Sequence, residues 1–155
     1  MNEATNIRWP VAELDPVRRL QVLAAAAGAM VVERVIPAPV EAVWDVASDL
    51  EREVPRLGWY VSSLRIVTAD GDRLDLEVRG PMGLRDHFEA VLRPGWCWCQ
   101  GRVLRVGMAA AALPEGTLFA VAAGLHMPGA GVLRPMVRHS LVSALERIAL
   151  HVRAV

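Results

Sequence analysis

Lysine is absent from the sequence, and charge is balanced. All seventeen basic residues are arginine, and they are matched by seventeen acidic residues, so the formal net charge is zero. Without a lysine amine, a Schiff-base mechanism through lysine is excluded. Because no basic stripe is present to neutralise a phosphate backbone, nucleic-acid binding is not expected. The arginine bias is more typical of a GC-rich bacterial genome than of a chemical role.

Cysteine is also sparse, with only Cys97 and Cys99 in the string Trp-Cys-Trp-Cys. Two residues apart on a strand, they share one face, which does not suit a disulfide between them. No further cysteine completes a soft metal site, so we interpret both as small strand residues and expect a cytoplasmic location. Trp96 and Trp98 share the opposite face. If that face is inward it lines a pocket, and if outward it forms an interface patch.

Long apolar runs and familiar catalytic motifs are missing as well. No run reaches membrane-spanning length, and no metal cluster, glycine-rich phosphate loop or Ser/His/Asp signature is present. We therefore expect no membrane span, no metal and no cofactor. Arg18-Arg19 before an alanine-rich run imitates an export leader. However, Asp15-Pro16 is a good helix start and Gly28 a good helix end, which favours a structured helix over Pro16–Ala27.

The remaining sequence is that of a globular protein. It has 155 residues, of which 54% are apolar and 22% charged, which is typical of one domain with a sizeable core. We predict a single domain over residues 1–155, with residues 1–28 as an N-terminal extension and residues 30–155 as the main body.

Hydrophobic periodicity gives the order of elements. β-Branched and alternating stretches separated by Gly, Pro and Asp turns predict strands, and 3.6-residue periodicity predicts helices. The predicted strands are Met30–Ile36, Ser63–Ala69, Arg73–Arg79, Leu84–Leu92, Trp96–Leu104, Val106–Leu113 and Thr117–Met127. The predicted helices of the main body are Val40–Ser48, Glu51–Arg56 and a long one over Val132–Val155. This pattern predicts an α+β fold in which a curved, seven-stranded antiparallel sheet surrounds a long C-terminal helix.

The stretch Val32–Leu50, VERVIPAPVEAVWDVASDL, resembles the opening of the SRPBCC superfamily, which includes START and polyketide cyclase/dehydrase-like proteins. The shared features are Ala38-Pro39, Val43-Trp44-Asp45 and the Asp49-Leu50 corner. Gly116-Thr117 before the last strand and Pro128-Gly129 before the long helix are also similar. The resemblance covers about residues 30–155 and implies a helix-grip fold with a hydrophobic cavity between sheet and long helix. Members bind lipids, polyketides, hormones or quinones, and some are cyclases, dehydratases or lyases.

Asp86 is the candidate catalytic residue. In Leu84–Leu92, the face that carries Leu84, Asp86 and Phe88 must look inward, because burying the arginines and glutamate of the other face would cost more. A desolvated carboxylate there could act as a general acid or base. The alternative is that Asp86 lies near the strand end and is solvated or paired with an arginine. Tyr60 is a second candidate, because its hydroxyl could hold a carbonyl oxygen.

The candidate ligand-binding residues are aromatic or small. Aromatic rings after the short helices would give apolar contact at the cavity entrance, and small residues on the long helix would leave room for a ligand. These candidates are Trp59, Tyr60, Phe88, Trp98, Met136, Ser140 and Ala144.

The last two strands are apolar on both faces, because they carry small residues at Ala109–Ala112 and at Ala120, Ala122 and Gly124. Because a strand with one wet face should alternate, something must cover the outer face. The N-terminal helix and a second subunit of a homodimer are both candidates.

Three functions follow from these features. The first is binding of a hydrophobic small molecule, such as a polyketide or lipid, in the cavity. The second is a cofactor-independent polyketide cyclase, dehydratase or lyase-like enzyme that uses Asp86. The third is a protein-interaction domain with a filled core.

Overall fold

A computed structural model describes residues 13–57 and 61–154. The helices are α1 Pro16–Ala26, α2 Val40–Ala47, α3 Leu50–Leu57 and α4 Arg134–Ala154, with single 3₁₀ turns at Pro81–Gly83 and Ala130–Leu133. The strands are β1 Met30–Ile36, β2 Ser63–Asp70, β3 Arg73–Arg79, β4 Arg85–Arg93, β5 Trp96–Gln100, β6 Leu104–Leu113 and β7 Gly116–Leu125.

The strands form one seven-stranded antiparallel sheet in the order β1-β7-β6-β5-β4-β3-β2. Helices α2 and α4 pack against one face, which we call the inner face, and α1 packs against the other, the outer face. The predicted α+β fold with a sheet around a long C-terminal helix is confirmed. The prediction was wrong for the length of β5, which ends at Gln100 rather than Leu104, and for Leu84, which precedes β4.

Helix α1 begins at Pro16, as predicted, and ends at Ala26, one residue before the predicted end. The side chain of Asp15 accepts a hydrogen bond from the backbone N–H of Arg18 at 3.0 Å, and Pro16 occupies the first helical position. Gly28 follows with φ of +70°, a left-handed conformation that glycine adopts without strain.

The inner core lies between the sheet and α4. Its largest fully buried side chains include Phe119 of β7, Leu76 of β3 and Ile148 of α4. The burial of α4 is uneven along its length. Leu141, Ala144, Leu145, Ile148, Ala149 and Val152 are buried, whereas no residue from Arg134 to Ser140 is. The second half of α4 therefore anchors the helix, and its first turns lie over a less filled part of the molecule.

The junction between β1 and β7 explains the Gly-Thr pair before the last strand. A β-carbon on Gly116 would lie 2.3 Å from the carbonyl oxygen of Ile36, and φ at Gly116 is +144°. Thr117 is fully buried, and its hydroxyl donates to the carbonyl oxygen of Ala38 at 2.7 Å. Only glycine fits at the first position, and the buried hydroxyl at the second has its partner.

The alanine-rich outer face is covered by α1. Val17, Leu20 and Ala24 of α1 are buried against Ala109, Ala120 and Ala122, all of which have no exposed surface or almost none. Small side chains on the strands let the helix approach the sheet closely. Of the two predicted covers, the structure selects the N-terminal helix, so this face does not offer the surface on which the homodimer expectation depended.

Strand β2 forms one edge of the sheet. Its backbone N–H at Ile66 donates to the carboxylate oxygen Oε1 of Glu51 at 2.8 Å, and its register with β3 shifts between Ile66 and Thr68. On the outer face beyond α1, charged and polar side chains pair across strands, with 2.8 Å between Arg65 and Glu77 and 2.7 Å between Thr68 and Asp75. This half of the outer face is polar.

Candidate functional site

A cavity of about 620 Å³ lies between the inner face of the sheet and the first turns of α4. Its volume falls within the range of pockets that hold drug-sized ligands. The lining comes from the β3–β4 and β5–β6 connections, from β4 and β7, and from the start of α4. The residues are Val61, Val78, Gly80, Pro81, Met82, Leu84, Arg85, Asp86, Phe88, Arg102, Val103, Leu104, Ala123, Leu125, Met127, Leu133, Met136, Val137 and Ser140.

The lining is apolar apart from four side chains, Arg85, Asp86, Arg102 and Ser140. Apolar walls favour a ligand that gives up little hydration on binding, and a few polar groups fix its orientation. The arrangement can therefore bind a largely apolar molecule that carries one or two polar atoms.

Asp86 is held at the cavity wall by two backbone donors. Its Oδ1 accepts from the N–H of His87 at 2.8 Å, and its Oδ2 accepts from the N–H of Arg102 at 3.3 Å. The residue is half-buried, beside the buried ring of Phe88. A carboxylate has about four lone-pair positions, so acceptor capacity remains for a ligand hydroxyl or for a proton. The sequence alternative of a pairing with an arginine side chain is not found among the described residues.

The inward face predicted for β4 is the one that the structure buries. Phe88 and Ala90 are buried, whereas Arg85, His87 and Glu89 of the other face are exposed. Of the ligand-binding candidates, Phe88, Met136 and Ser140 line the cavity. The structure thus brings Asp86 and these three residues together around one space.

Trp98 was predicted at the ligand site, and the structure places it elsewhere. Trp96 and Trp98 point to the outer face and pack under α1, where both are nearly buried. The smaller Cys97 and Cys99 face inward instead. The physical reason lies in the neighbours: the outer face has room for indole rings beside Ala109 and Gly107, while the inner face at β5 is filled by the central core.

Ala144 also lies outside the cavity. It is buried in the anchored half of α4, one turn beyond Ser140, where helix and sheet are in close contact. Its small side chain permits that close packing, so it leaves no space for a ligand. Trp59 and Tyr60 lie outside the described residues.

Two features of the site were missed from the sequence. Arg102 and Val103, in the loop between β5 and β6, line the cavity, although Trp96–Leu104 was predicted as one continuous strand. Arg85, predicted on the outer face, also lines the cavity, where it begins β4 two residues after the 3₁₀ turn. The pair Gly101-Arg102, which interrupts an apolar strand, is the sequence signal that could have identified the loop.

The cysteine pair is not part of the cavity. The two Sγ atoms lie 3.7 Å apart, and neither cysteine forms a disulfide. The hydrogen bond with Cys99, followed by burial, holds the pKa of the Cys97 thiol well above its ordinary value. A thiol that stays protonated at neutral pH is a poor nucleophile, so Cys97 has a structural role.

A buried acid lies at the other end of α4. Glu53 of α3 is almost fully buried, and its Oε1 lies 2.8 Å from Nδ1 of His151. Neither residue lines the cavity. The contact fastens α3 to the last turns of α4, opposite the end where the cavity opens.

Metal-binding and membrane-spanning features are not found in residues 13–57 and 61–154. This part of the chain has no cluster of three or more His, Cys, Asp or Glu side chains placed to hold a metal ion. None of its helices combines the length and apolar character needed to cross a bilayer.

This chain is similar to known proteins in its three-dimensional structure. No family model matches the sequence, and no curated protein matches it. A protein of Thermus thermophilus, TTHA0849, superposes with a TM-score of 0.60 and 25% identity, covering 81% of this chain and 97% of its own.

Two further solved structures carry functional names. The Zhui aromatase/cyclase from Streptomyces sp. R1128 has a TM-score of 0.60 at 12% identity, covering 81% of this chain and 93% of its own. A START superfamily protein from Mycobacterium smegmatis has a TM-score of 0.54 at 19% identity, covering 81% of this chain and 95% of its own. With its seven-stranded antiparallel sheet and long C-terminal helix, the chain shares the fold of these structures, which is the helix-grip fold that the resemblance of its sequence predicted.

Proposed function

We propose that the protein binds a hydrophobic small molecule, such as a polyketide or a lipid, in the cavity beneath the first turns of α4. The observation that carries the proposal is the cavity itself, about 620 Å³ of space with an almost wholly apolar lining. An empty space of this size costs stability, because the side chains around it lose packing contacts. Its presence supports a binding role over that of a filled-core interaction domain.

The test is native mass spectrometry of freshly purified protein, followed by extraction and weighing of any bound compound. A titration with 1-anilinonaphthalene-8-sulfonate, a fluorescent apolar probe, measures the free site. We expect either a retained apolar molecule or saturable binding of the probe at one site. A bare protein that also fails to bind the probe would contradict the proposal.

A cyclase or dehydratase-like enzyme is the second candidate, favoured by Asp86. Its carboxylate lies on the cavity wall, is fixed by the N–H groups of His87 and Arg102, and keeps acceptor capacity for a proton. In this proposal Asp86 takes a proton from a carbon next to a carbonyl of the bound chain, the resulting enolate carbon forms a C–C bond with a second carbonyl carbon of the chain as the π bond of that carbonyl opens, and Asp86 returns the proton to the alkoxide oxygen so formed. Tyr60 would hold the carbonyl oxygen. Proximity in a dry cavity could supply much of the acceleration.

The variant Asp86→Asn distinguishes ligand binding alone from catalysis. If Asp86 transfers protons, the variant should lose turnover of the extracted compound by about 100-fold or more and bind the probe within about threefold of the parent protein. Asp75→Asn is the matched control, because Asp75 lies on the outer face of β3 and pairs with Thr68 and His87. Equal turnover in the parent protein and both variants would remove Asp86 from the mechanism and leave the binding function.

We also propose that the protein works in the cytoplasm, with its two buried cysteines reduced. Cell fractionation with thiol labelling in denaturant tests this location, and recovery of an oxidised pair from an extracytoplasmic fraction would contradict it.

A further inference from the structure

The cavity mouth is surrounded by exposed apolar side chains, which we call the rim. Three of them project almost freely: Met82 is 99% exposed, Val132 83% and Leu84 68%. Val103, Met127 and Met136 are also exposed and complete the rim. Scattered single apolar residues are normal on a surface, but five of these six line the cavity and the sixth, Val132, adjoins its lining residue Leu133, so that together they form a patch that ordinarily marks an interaction site.

The charge around the rim has one sign. The segments 80–85, 101–104 and 126–140 contain Arg85, Arg102, Arg134 and Arg138 and no aspartate or glutamate. All four arginines are exposed, and none forms an ion pair with another described residue. Asp86, which follows Arg85 and also lines the cavity, has its carboxylate engaged by the backbone N–H groups of His87 and Arg102. In a chain with zero formal net charge, this concentration of arginine around the rim favours an anionic partner.

The turn that carries Met82 is strained. Met82 has φ of 59° and ψ of 27°, and it is the one non-glycine residue in the described ranges with a positive φ. A left-handed conformation is unfavourable for a side chain of this kind. Here the side chain is fully exposed, so no burial within the protein compensates for the strain. The turn therefore holds an exposed apolar side chain in a backbone conformation that lowers the stability of the folded protein.

We propose that the rim docks onto an anionic lipid bilayer. Protruding apolar side chains flanked by arginines match the two layers of a membrane surface, acyl chains below and acidic head groups above. The rim also encloses the entrance of an apolar cavity, so docking would let a poorly soluble ligand pass between bilayer and cavity without crossing water. This last step depends on the proposed function, whereas the docking itself does not.

Vesicle co-sedimentation tests the proposal. The parent protein should bind vesicles containing phosphatidylglycerol, bind pure phosphatidylcholine much more weakly, and dissociate as salt is raised. The double variant Met82→Asn with Leu84→Ser should lower the partition coefficient at least about tenfold, because two apolar contacts with the bilayer are lost. Asn is chosen because it tolerates the left-handed conformation at position 82.

The control variant is Val22→Ser with Leu150→Ser, which removes two exposed apolar side chains away from the rim. It should partition like the parent protein. Equal loss in both double variants, or no binding of the parent protein to anionic vesicles, would overturn the proposal. Binding to soluble polyglutamate without vesicle binding would replace the bilayer with an acidic protein and overturn it too. Because retention of ligand is measured separately by mass spectrometry, failure of docking and failure of ligand binding are distinguishable.

Discussion

At Gly101 the backbone passes close to the residues that shape the cavity. A β-carbon there would lie 2.3 Å from Cε1 of Phe88 and 2.7 Å from Oδ2 of Asp86. The absence of a side chain lets the loop approach β4, so that the N–H of Arg102 reaches the Asp86 carboxylate. Gly101 thus determines where the Phe88 ring and the Asp86 carboxylate can lie.

Gly101→Ala should displace the Phe88 ring or the Asp86 carboxylate. We expect a loss of about 1–3 kcal/mol in the free energy of unfolding, measured by urea denaturation, and weaker binding of the fluorescent probe. Gly131→Ala is the control, since a β-carbon at Gly131 meets no atom within 4 Å. If both variants are equally stable and bind the probe equally, the contact at Gly101 does not constrain the site.

Single residues of the site differed in how well sequence predicted them. The alternation of residues along β4 was enough to predict that Asp86 and Phe88 face inward, because the other face of that strand is charged and had to point outward. Trp98 could not be assigned, because both faces of β5 are apolar and both are buried. Which face receives the larger side chains depends on the neighbouring strands and on α1, which the local pattern does not encode.

Among the elements, α1 is anchored to the outer face by the side chain of Leu20, which packs over a glycine of the sheet. Leu20 is fully buried, and its Cδ1 fills the space above Gly107, where a β-carbon would approach it to 2.6 Å. Trp98 closes the same pocket from the side. The helix is therefore part of the folded core, on the side of the sheet opposite the cavity.

Leu20→Ala should lower the free energy of unfolding by about 2–5 kcal/mol, since the sheet beneath cannot collapse to fill the space. Val22→Ala changes a residue on the same helix that is 60% exposed, and should stay within about 0.5 kcal/mol of the parent protein. Thermal and urea denaturation measure both. A Leu20→Ala protein as stable as the control would mean that α1 contributes little to folding.

The long helix α4 shows where a periodic pattern stops being informative. The 3.6-residue periodicity of its sequence places Leu133, Val137, Leu141, Ala144, Ile148 and Val152 in one apolar stripe. The structure buries the stripe from Leu141 onward, but leaves Leu133 and Val137 at the cavity wall. Periodicity identifies the face of a helix, and the depth of packing against that face depends on the volumes of side chains opposite it.

At the scale of the whole molecule, stability and binding are predicted to be separable. Ser140→Phe places a large ring in the cavity, and we expect probe binding to fall at least about tenfold while the unfolding midpoint stays equal or rises, because empty space is filled. Val142→Phe adds the same ring on an exposed position of α4 and should bind normally. Unchanged probe binding by Ser140→Phe would show that the probe occupies a different site.

The order of elements, the strand count and the helix grip were within reach of the sequence, whereas the cover of the outer face was narrowed only to the N-terminal helix or a second subunit. Turn residues and alternation are local signals, and the resemblance around Val43-Trp44-Asp45 adds the topology. The cavity was not predictable in volume or position. Its volume depends on how far side chains from separate elements, such as Phe88, Ala123 and Ser140, fill the space between sheet and helix, and such a sum over distant residues has no local pattern.

The contact between Glu51 and β2 has a consequence for self-association. An open sheet ends in strands whose free backbone groups can pair with another molecule, and Val67 beside Ile66 is exposed there. The Glu51 carboxylate accepts a hydrogen bond from the backbone N–H of Ile66, so this donor is not free to pair with an incoming strand. The register shift next to Ile66 disrupts the alignment of the remaining backbone groups of β2. One acidic side chain at the start of α3 thereby protects this edge from the kind of strand addition that leads to fibrils.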